Sequence, residues 1–465
     1  MKRLLSLVLI AIPLFATSGV YTNLSLDQAI SILKKDNLEI NVARFDEKIK
    51  DFEHKIAQGY NYGKLDFTQL ALRSNDAGNV FGFKLQSREA SFADFGFNEF
   101  ISQMGTITPG SPSYDEGEAI LSTQPNDLNY PEARNHFQSK LQYQVPLYTG
   151  GKLEQYGKIT EALTKMSKLD TIAIVNEKIY QLKKSFFDSY LLDAYLHNLT
   201  IINANMNKLE NMAQSMIDEG YAKHVDLLEV QSKKANVTRM INQAHANKEL
   251  VYHFISFLLN SKVESITGNY KKSIPKIYDL DVILENNIDI QKVKKGLDIT
   301  KMAIDLQKAA NLPEVGAFVE YGSADNQFLN DFAKHDAYTV GVQLKWNLFN
   351  GGIDQNNIEK ARVESLKVQT QVDLAKKGIT LSVAKIKTEI KSFDFDITSL
   401  ESEIALTRTI YQNYLGRYQE KLVSINDVII KQSMEIEKVL KLKEIQNSRS
   451  SKILELEKIA NGEEI

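Results

Sequence analysis

A segment that occurs twice constrains the fold of this 465-residue chain more than any other feature. The first copy, His136 to Gly151, reads HFQSKLQYQVPLYTGG, and the second, Ala337 to Gly352, reads AYTVGVQLKWNLFNGG. Apolar and polar residues alternate in both copies, which is typical of a strand with one apolar and one polar face. Both copies end in Gly-Gly, and these ends lie 201 residues apart (352 − 151). The segment therefore predicts an internal duplication.

The surrounding pattern divides the chain into two predicted structural repeats, residues 19–260 and 261–465, after a predicted signal peptide at 1–18. In each repeat we expect short helices, a first strand, the strand that precedes Gly-Gly, and a long helical hairpin. The predicted strands lie at about 64–73 and 136–148 in the first repeat and at about 314–322 and 337–348 in the second. The predicted hairpin turns lie near 220–226 and 421–427.

Heptad spacing follows each Gly-Gly pair. Apolar residues from Ile379 to Tyr418, and from Tyr195 to Met216, recur at intervals of four and three, which predicts coiled-coil packing. In both halves 75 residues separate Gly-Gly from an Asp in the turn (226 − 151 and 427 − 352). As helix, that distance is roughly 110 Å. Equal lengths predict two hairpins that reach the same plane.

Composition limits where the chain can work. Lys2 and Arg3, the apolar run Leu4 to Phe15 and a small-residue cleavage site have the layout of a secretory signal peptide. No later segment approaches 18 uninterrupted apolar residues, so we expect an exported chain without a transmembrane helix. Two fates remain open, a soluble protein or a membrane β-barrel. The net charge of −3 and the absence of Cys argue against a nucleic-acid partner and a disulfide framework.

Motifs for catalysis are absent from the sequence. Gly150-Gly151-Lys152 lacks the upstream Gly and the following Ser or Thr of a phosphate loop, and no HExxH motif occurs. The seven His residues are interpreted as structural or solvated. We therefore predict that the chain is not an enzyme and carries no cofactor and no metal.

The four predicted strands suit a membrane, but four strands cannot close a barrel. Two chains would supply eight strands, and three would supply twelve, enough to surround a lumen. Aromatic residues at the strand ends are predicted to form a membrane-interface girdle: Tyr143, Tyr148, Trp346 and Phe349. Polar residues of the same strands are expected to line the lumen: Lys140, Gln142, Gln144, Gln343 and Lys345.

The duplicated plan, the strand ends PLYTGGK and NLFNGG, and the turn GYAKHVDLLEVQ resemble the TolC family of outer-membrane channel-tunnels. The resemblance covers nearly all of the chain after residue 18. It implies a homotrimer in which a 12-stranded outer-membrane β-barrel, four strands per chain, continues into a long α-helical coiled-coil barrel across the periplasm of a Gram-negative bacterium.

The resemblance also implies a function. Family members are exit ducts for efflux pumps or for type I protein secretion, and they dock to a periplasmic adaptor and an inner-membrane transporter. A soluble periplasmic coiled-coil adaptor or structural protein is the alternative from another class. The transported substrate, whether drug, metal or protein, depends on the transporter that docks.

The hairpin turns are the candidate functional site. Around a three-fold axis, three copies of Asp226 and of Asp427 would converge, and converging carboxylates attract cations. Tyr418 and Asp226 match gate residues of the family, whereas the position of its gate arginine holds Val423. Glu229 is a candidate for a second acidic ring, because Ile430 stands where the family often has an acid.

Each of these residues also has a simpler interpretation. Asp226 and Asp427 suit the N-cap of a returning helix, and Tyr418 suits the coiled-coil seam. Arg417 or Lys421 could replace the missing cation. The turns are further predicted to dock the adaptor through residues at the helix ends: Gly220, Lys223, Val225, Leu422, Val423 and Ser424.

The connection between the first pair of strands, residues 74–135, is much longer than its counterpart at 323–336. It contains Phe81, Phe83, Phe92, Phe95, Phe97 and Phe100. We predict an external cap packed by its own aromatic side chains, with a specific receptor as the alternative.

Overall fold

A computed structural model describes residues 19–105, 114–268, 278–328 and 330–460. The predicted signal peptide lies outside the described residues. The chain forms two compact units. One, the helical unit, comprises the described residues within Met1–Asp51, Ala162–Ile299 and Glu364–Ile465. The other, the sheet unit, comprises those within Phe52–Glu161 and Thr300–Val363.

Helices account for most of the described chain, and strands are confined to two small sheets. The helices are α1 Leu26–Asp36, α2 Leu38–Gly59, α3 Ala77–Gln86, α4 Phe97–Met104, α5 Tyr114–Leu121, α6 Asn126–Asn129, α7 Lys152–Asp218, α8 His224–Leu259, α9 Leu280–Asn286, α10 Ile288–Ala309, α11 Ile353–Gln419 and α12 Ile425–Ala460. The strands are β1 Val20–Tyr21, β2 Lys64–Ser74, β3 Arg134–Tyr148, β4 Lys262–Val263, β5 Glu314–Asp325 and β6 Asp336–Lys345. Among the described residues, no helix combines the length and apolarity that a membrane crossing requires.

The two halves contain helices of identical length. Helices α7 and α11 have 67 residues each, α8 and α12 have 36 each, and α2 and α10 have 22 each. Each 67-residue helix follows a Gly-Gly pair in which both residues have left-handed φ angles, 64° and 86° at Gly150 and Gly151 and 71° and 82° at Gly351 and Gly352. A side chain strains that conformation, so the glycines permit the abrupt change from strand to helix.

The predicted heptad seams are confirmed in the helical unit. Every seam residue of α11 from Ile379 to Tyr418 is buried or half-buried, and so is every seam residue of α7 from Tyr195 to Met216. Near the turns the two hairpins share one core, formed by residues from all four long helices: Ile202, Met206, Leu209, Ala213, Leu227, Val230, Val237, Tyr411, Tyr418, Ile425, Val428 and Ile429.

A buried asparagine joins the short helices to the returning helix in each half. Asn37, between α1 and α2, donates its amide to the Leu258 carbonyl at 2.8 Å, and its amide oxygen accepts the backbone N–H of Ile40. Asn287, between α9 and α10, donates to the Ile459 carbonyl at 3.1 Å and accepts the N–H of Ile290. The same contact therefore occurs in both halves, and its acceptor carbonyls are 201 residues apart (459 − 258).

The larger sheet has the order β2-β3-β5-β6, with every neighbouring pair antiparallel. Its register places Leu65, Tyr143, Val319 and Val340 in one cross-strand row and Phe67, Leu141, Tyr321 and Tyr338 in the next. Directly paired residues share a face, so these rows define an apolar face. The rows Asp66–Gln142–Glu320–Thr339 and Gln144–Phe318–Gly341 belong to the opposite, mainly polar face.

Strand β6 ends at Lys345, three residues before the predicted end at about 348. Lys345 pairs with Glu314, the first residue of β5, and Pro313 precedes it. No residue of β5 therefore remains to pair with Trp346. The indole N–H of Trp346 instead donates to the carbonyl of Asn311 at 3.0 Å.

The long connection 74–135 contains short helices rather than an irregular loop. Helices α3 to α6 and a 3₁₀ turn at Phe92–Phe95 occupy most of its described part. Aromatic pairs join these segments: Phe81 with Phe95, Phe92 with Phe97, and Phe97 with Phe100, at centroid distances of 5.4, 5.8 and 6.0 Å. The prediction that its own aromatics pack this segment is confirmed for these rings.

Candidate gate at the hairpin turns

The two hairpin turns have the same backbone geometry. After α7, the N–H groups of Gly220 and Tyr221 donate to the carbonyls of Ile217 and Met216. After α11, those of Lys421 and Leu422 donate to the carbonyls of Tyr418 and Arg417, again with an offset of 201. This is the Schellman arrangement, which requires a left-handed residue after the helix.

That left-handed residue differs between the two turns. Gly220 has a φ angle of 76°, and Lys421 has one of 61°. A side chain in this conformation costs about 1 kcal/mol, which glycine avoids. The second turn therefore carries a charged side chain at a position where the first turn has none.

Both turn aspartates occupy the third position of the returning helix, so the prediction of an N-cap was wrong about their position. The N-cap residues are Lys223 for α8 and Ser424 for α12, the residue before Ile425. Each carboxylate reaches back and accepts the backbone N–H of its N-cap residue, Asp226 at 2.9 Å and Asp427 at 3.1 Å. This is the reciprocal half of a capping box, and Ser424 makes the second box complete through its hydroxyl.

The second box also affects protonation. The Ser424 hydroxyl and then the Ser424 backbone N–H hold the pKa of the Asp427 carboxyl below its ordinary value. Hydrogen bonds to a carboxylate favour its charged form. Asp427 is therefore a permanent negative charge at neutral pH, and it is half-buried at the end of its hairpin.

Tyr418 lies in the core beneath the turns. Its side chain is 5% exposed, and its hydroxyl has no hydrogen-bond partner among the described residues. Burial, and secondarily the negative charge of Asp226, raise the pKa of the Tyr418 phenol. Tyr418 is thus a seam residue in one chain, and its hydroxyl retains an unused donor.

Lys421 connects the two turns. Its ammonium nitrogen lies 3.2 Å from the centroid of the Tyr221 ring and 3.8 Å from a carboxylate oxygen of Glu219. Both partners belong to the turn after α7, so the contact joins one hairpin to the other. Arg417, the other predicted cation, lies over the ring of Tyr414 on its own helix at 5.7 Å.

The other predicted site residues lie around these contacts. Glu229 is exposed on α8, one turn beyond Asp226. The predicted docking residues Gly220, Lys223, Val225, Leu422 and Ser424 are exposed as well. Val423 is half-buried and packs against the shared core. The exposed Tyr221 and Leu228 were not predicted; the position of Tyr221, directly after the Schellman glycine, is the signal that could have identified it.

The predicted interface aromatics lie in the sheet unit. Tyr143 donates its hydroxyl to the Tyr62 carbonyl at 2.7 Å, and Tyr148 ends β3. Trp346 and Phe349 follow β6, and Phe349 is 86% exposed. None of these observations tests a membrane role, so the girdle stays a prediction.

Comparison with solved structures identifies the fold. The chain has the fold of CusC, a protein described as forming a transmembrane channel, with 13% identity, a TM-score of 0.76 and coverage of 94% of this chain and 92% of that one. It is also similar to the CmeC outer membrane channel of Campylobacter jejuni, with 14% identity, a TM-score of 0.73 and coverage of 94% and 85%. A third similar structure is the MtrE outer membrane channel of Neisseria gonorrhoeae, with 12% identity, a TM-score of 0.73 and coverage of 94% of this chain and 89% of that one. The fold is therefore that of outer-membrane channels.

Residues 280–428 match the family described as "Outer membrane efflux protein". The matched segment comprises 149 of the 465 residues (428 − 280 + 1), and the solved structures add a similarity of fold. A search of the curated proteins finds no match.

Proposed function

We propose that the chain is the outer-membrane exit duct of a tripartite efflux system, acting as a homotrimer with a periplasmic adaptor and an inner-membrane transporter. In this proposal three four-stranded sheets close a 12-stranded barrel, and the helical hairpins form a coiled-coil tunnel in the periplasm. Residues 19–260 and 261–465 are the two structural repeats. Substrates pass through the duct without chemical change, and the docked transporter determines which substrates they are.

The sheet carries this proposal. Among the described residues, β2 and β6 each pair on one side only, and unpaired edges are not tolerated in lipid. A second copy can pair its β2 with β6 of the first, and a ring of such contacts removes every edge. Each contact joins β6 of one copy to β2 of the next in the same direction, and a head-to-tail contact of this kind can close into a ring.

The two faces of the sheet support a lipid side and a water side. Apolar side chains are widely exposed on one face, where Phe67, Val340 and Val342 are 65 to 67% exposed. On the opposite face Lys140 and Glu320 form an ion pair at 3.6 Å. A lumen accommodates such charges, whereas a lipid-facing surface does not. The aromatics Tyr143, Tyr148, Trp346 and Phe349 are proposed to meet the lipid headgroups.

The hairpin turns are proposed as the periplasmic mouth. Asp226, Asp427 and Glu229 would supply its negative charge, and Tyr418 would lie beneath it with its unused donor. The exposed residues Gly220, Lys223, Val225, Leu422 and Ser424, with the half-buried Val423, are proposed to contact the adaptor. The Lys421–Tyr221 contact belongs to the closed mouth.

The purified protein in detergent tests the proposal through its mass by native mass spectrometry and its conductance in a planar lipid bilayer. We expect a trimer that forms discrete ion-conducting pores. A monomer that stays in solution without detergent and forms no pore would instead favour the soluble coiled-coil protein.

Two neighbouring substitutions on β6 test the assignment of the faces. Val340→Lys places a charge on the proposed lipid face, where it costs about 2–4 kcal/mol near the bilayer centre. Thr339→Lys places the same charge on the proposed lumen face. We expect Val340→Lys to lower the amount of trimer in the outer membrane and Thr339→Lys to leave it near wild type. The opposite result would reverse the two faces.

A further inference from the structure

The sheet unit contains a cluster of three metal-ligating side chains that the efflux function does not use. One ligand atom from each of Glu89, Asp325 and His335 lies within 4.8 Å of the other two. Glu89 follows α3, Asp325 ends β5, and His335 directly precedes β6. We propose that these residues bind a divalent transition-metal cation, with Zn²⁺ as the best fit, and that the cation ties the long first connection to the short second one.

Asp325 provides the strongest observation. Its side chain is 4% exposed, yet its Oδ2 atom has no hydrogen-bond partner among the described residues. A buried carboxylate oxygen without a partner is costly. Nε2 of His335 lies 3.8 Å from this oxygen, which is too long for a hydrogen bond. A cation between the two atoms would satisfy both.

His335 is oriented as a ligand. Its Nδ1 atom contacts the backbone carbonyl of Ser87, and a carbonyl can only accept, so Nδ1 carries the proton. In the neutral ring, Nε2 then presents its lone pair toward Asp325. Metal-binding histidines usually donate their other N–H to a carbonyl or carboxylate in this way.

A left-handed residue brings Glu89 to the cluster. Arg88 has a φ angle of 54°, and the N–H of Glu89 returns to the Lys84 carbonyl at 2.9 Å. An arginine in this region is strained, and such strain tends to concentrate at functional sites. The Glu89 carboxylate also pairs with Arg134, which fixes its position.

The charges still favour a cation despite Arg134. Glu89 and Asp325 contribute two negative charges, and Arg134 offsets one of them, so the cluster with neutral His335 retains one negative charge. Arg134 also contacts the Ser87 hydroxyl at 3.0 Å, and its guanidinium is therefore anchored on the α3 side of Glu89. The negative charge of the buried Asp325 carboxylate is therefore not offset by Arg134 and is free to bind a cation.

The donor set selects the metal. One imidazole and two carboxylates match Zn²⁺ with an open fourth position, whereas Ca²⁺ and Mg²⁺ prefer oxygen ligands alone. Ligands on a tetrahedral Zn²⁺ ion lie about 3.3 Å apart, as bond lengths of about 2.0–2.1 Å require. Closing the cluster onto the ion therefore needs side-chain movements of about 1 Å. The sequence analysis missed this site, because its ligands are 236 and 10 residues apart (325 − 89 and 335 − 325).

The test uses the full-length protein in detergent, freed of metal with a chelator and titrated with ZnCl₂ by isothermal titration calorimetry. We expect one Zn²⁺ per chain, a rise in melting temperature on binding, and no comparable effect of CaCl₂. Asp325→Asn and His335→Gln should each weaken binding by at least about tenfold. Asp331→Asn is the matched control, because Asp331 pairs with Lys334 in the same connection without joining the cluster, and its binding should equal wild type.

Glu89→Gln gives a third ligand variant at an exposed position, where misfolding is least expected. Wild-type protein that binds no Zn²⁺ would overturn the proposal. Binding that is equal in wild type, Asp325→Asn, His335→Gln and Glu89→Gln would overturn it as well. In either case His335 and Asp325 are neighbouring side chains without a metal. Trimer mass and conductance are measured on the same samples, so failure of the metal site is distinguished from failure of the channel function.

Discussion

The ammonium of Lys421 lies 3.2 Å from the centroid of the Tyr221 ring, and this contact joins the turn of the second hairpin to the turn of the first. At an exposed position such a cation–π contact contributes about 0.5–1 kcal/mol. In the proposed channel, the contact stabilises the arrangement in which the two hairpins are held together.

Lys421→Met removes this charge and keeps most of the chain length. We expect the open probability in a planar bilayer to rise about two- to fivefold, as the loss of about 0.5–1 kcal/mol from the closed state implies. Lys421→Gly should give the same increase while relieving the left-handed strain. Lys233→Met, at an exposed lysine of α8, is the control. If both Lys421 variants conduct like the control, the contact does not hold the mouth.

Replacing both turn aspartates by asparagine separates the capping role from the gate role. Asparagine keeps an acceptor oxygen for the N–H groups of Lys223 and Ser424, so we expect helix content and melting temperature close to wild type. It removes the negative charge, so the preference for cations, measured from the reversal potential in a KCl gradient, should fall if the acids line the constriction. An unchanged reversal potential would make both residues helix caps only.

Tyr418 and Tyr411 form a matched pair on one seam. Both hydroxyls lack a partner among the described residues, and burial, helped by Glu435, raises the pKa of Tyr411 to about 12. We expect Tyr418→Phe to increase channel opening, because its hydroxyl lies near the mouth and the negative charge of Asp226. Tyr411→Phe should leave conductance unchanged and stability equal or slightly higher. Equal conductance in both variants would restrict Tyr418 to packing.

The equivalent contacts of Asn37 and Asn287 predict that replacing either residue lowers the stability of the protein to a similar extent. Asn37→Ala leaves the buried carbonyl of Leu258 without its donor, and Asn287→Ala does the same to the partly buried carbonyl of Ile459. Each loss costs about 1–3 kcal/mol. Both variants should therefore melt at lower temperature than wild type in circular dichroism. Asn242→Ala, at an exposed position of α8, is the control. A lower melting temperature in only one of the two variants would mean that the two contacts are not equivalent.

Most of the fold could be predicted from the sequence because the residue patterns of its main elements are periodic. Alternation identified β3 and β6, heptads identified the seams of α7 and α11, and the Gly-Gly pairs marked the junctions between them. The end of β6 was missed because Lys345 is the last residue with a partner on β5, which is a tertiary effect. The helices within 74–135 were missed because none is long enough to show a clear period.

The candidate site was less predictable for a similar reason. Asp226 and Asp427 were found from their spacing, but their third-position geometry depends on where each helix begins, and sequence patterns locate helix ends poorly. Tyr221 and Lys421 belong to different halves of the chain, and only the packing of the two hairpins brings them together. The same holds for Glu89, Asp325 and His335.

The identical lengths of the paired helices constrain how the chain can evolve. A deletion of one heptad from α11 would shift its seam and its turn by roughly 10 Å, so a compensating heptad must leave α12. Such a shortened hairpin would no longer align with α7 and α8, which would need the same two deletions. Members of this lineage can therefore change the reach of their hairpins only through concerted edits in four places, and isolated insertions are expected to survive only in the connections outside the long helices.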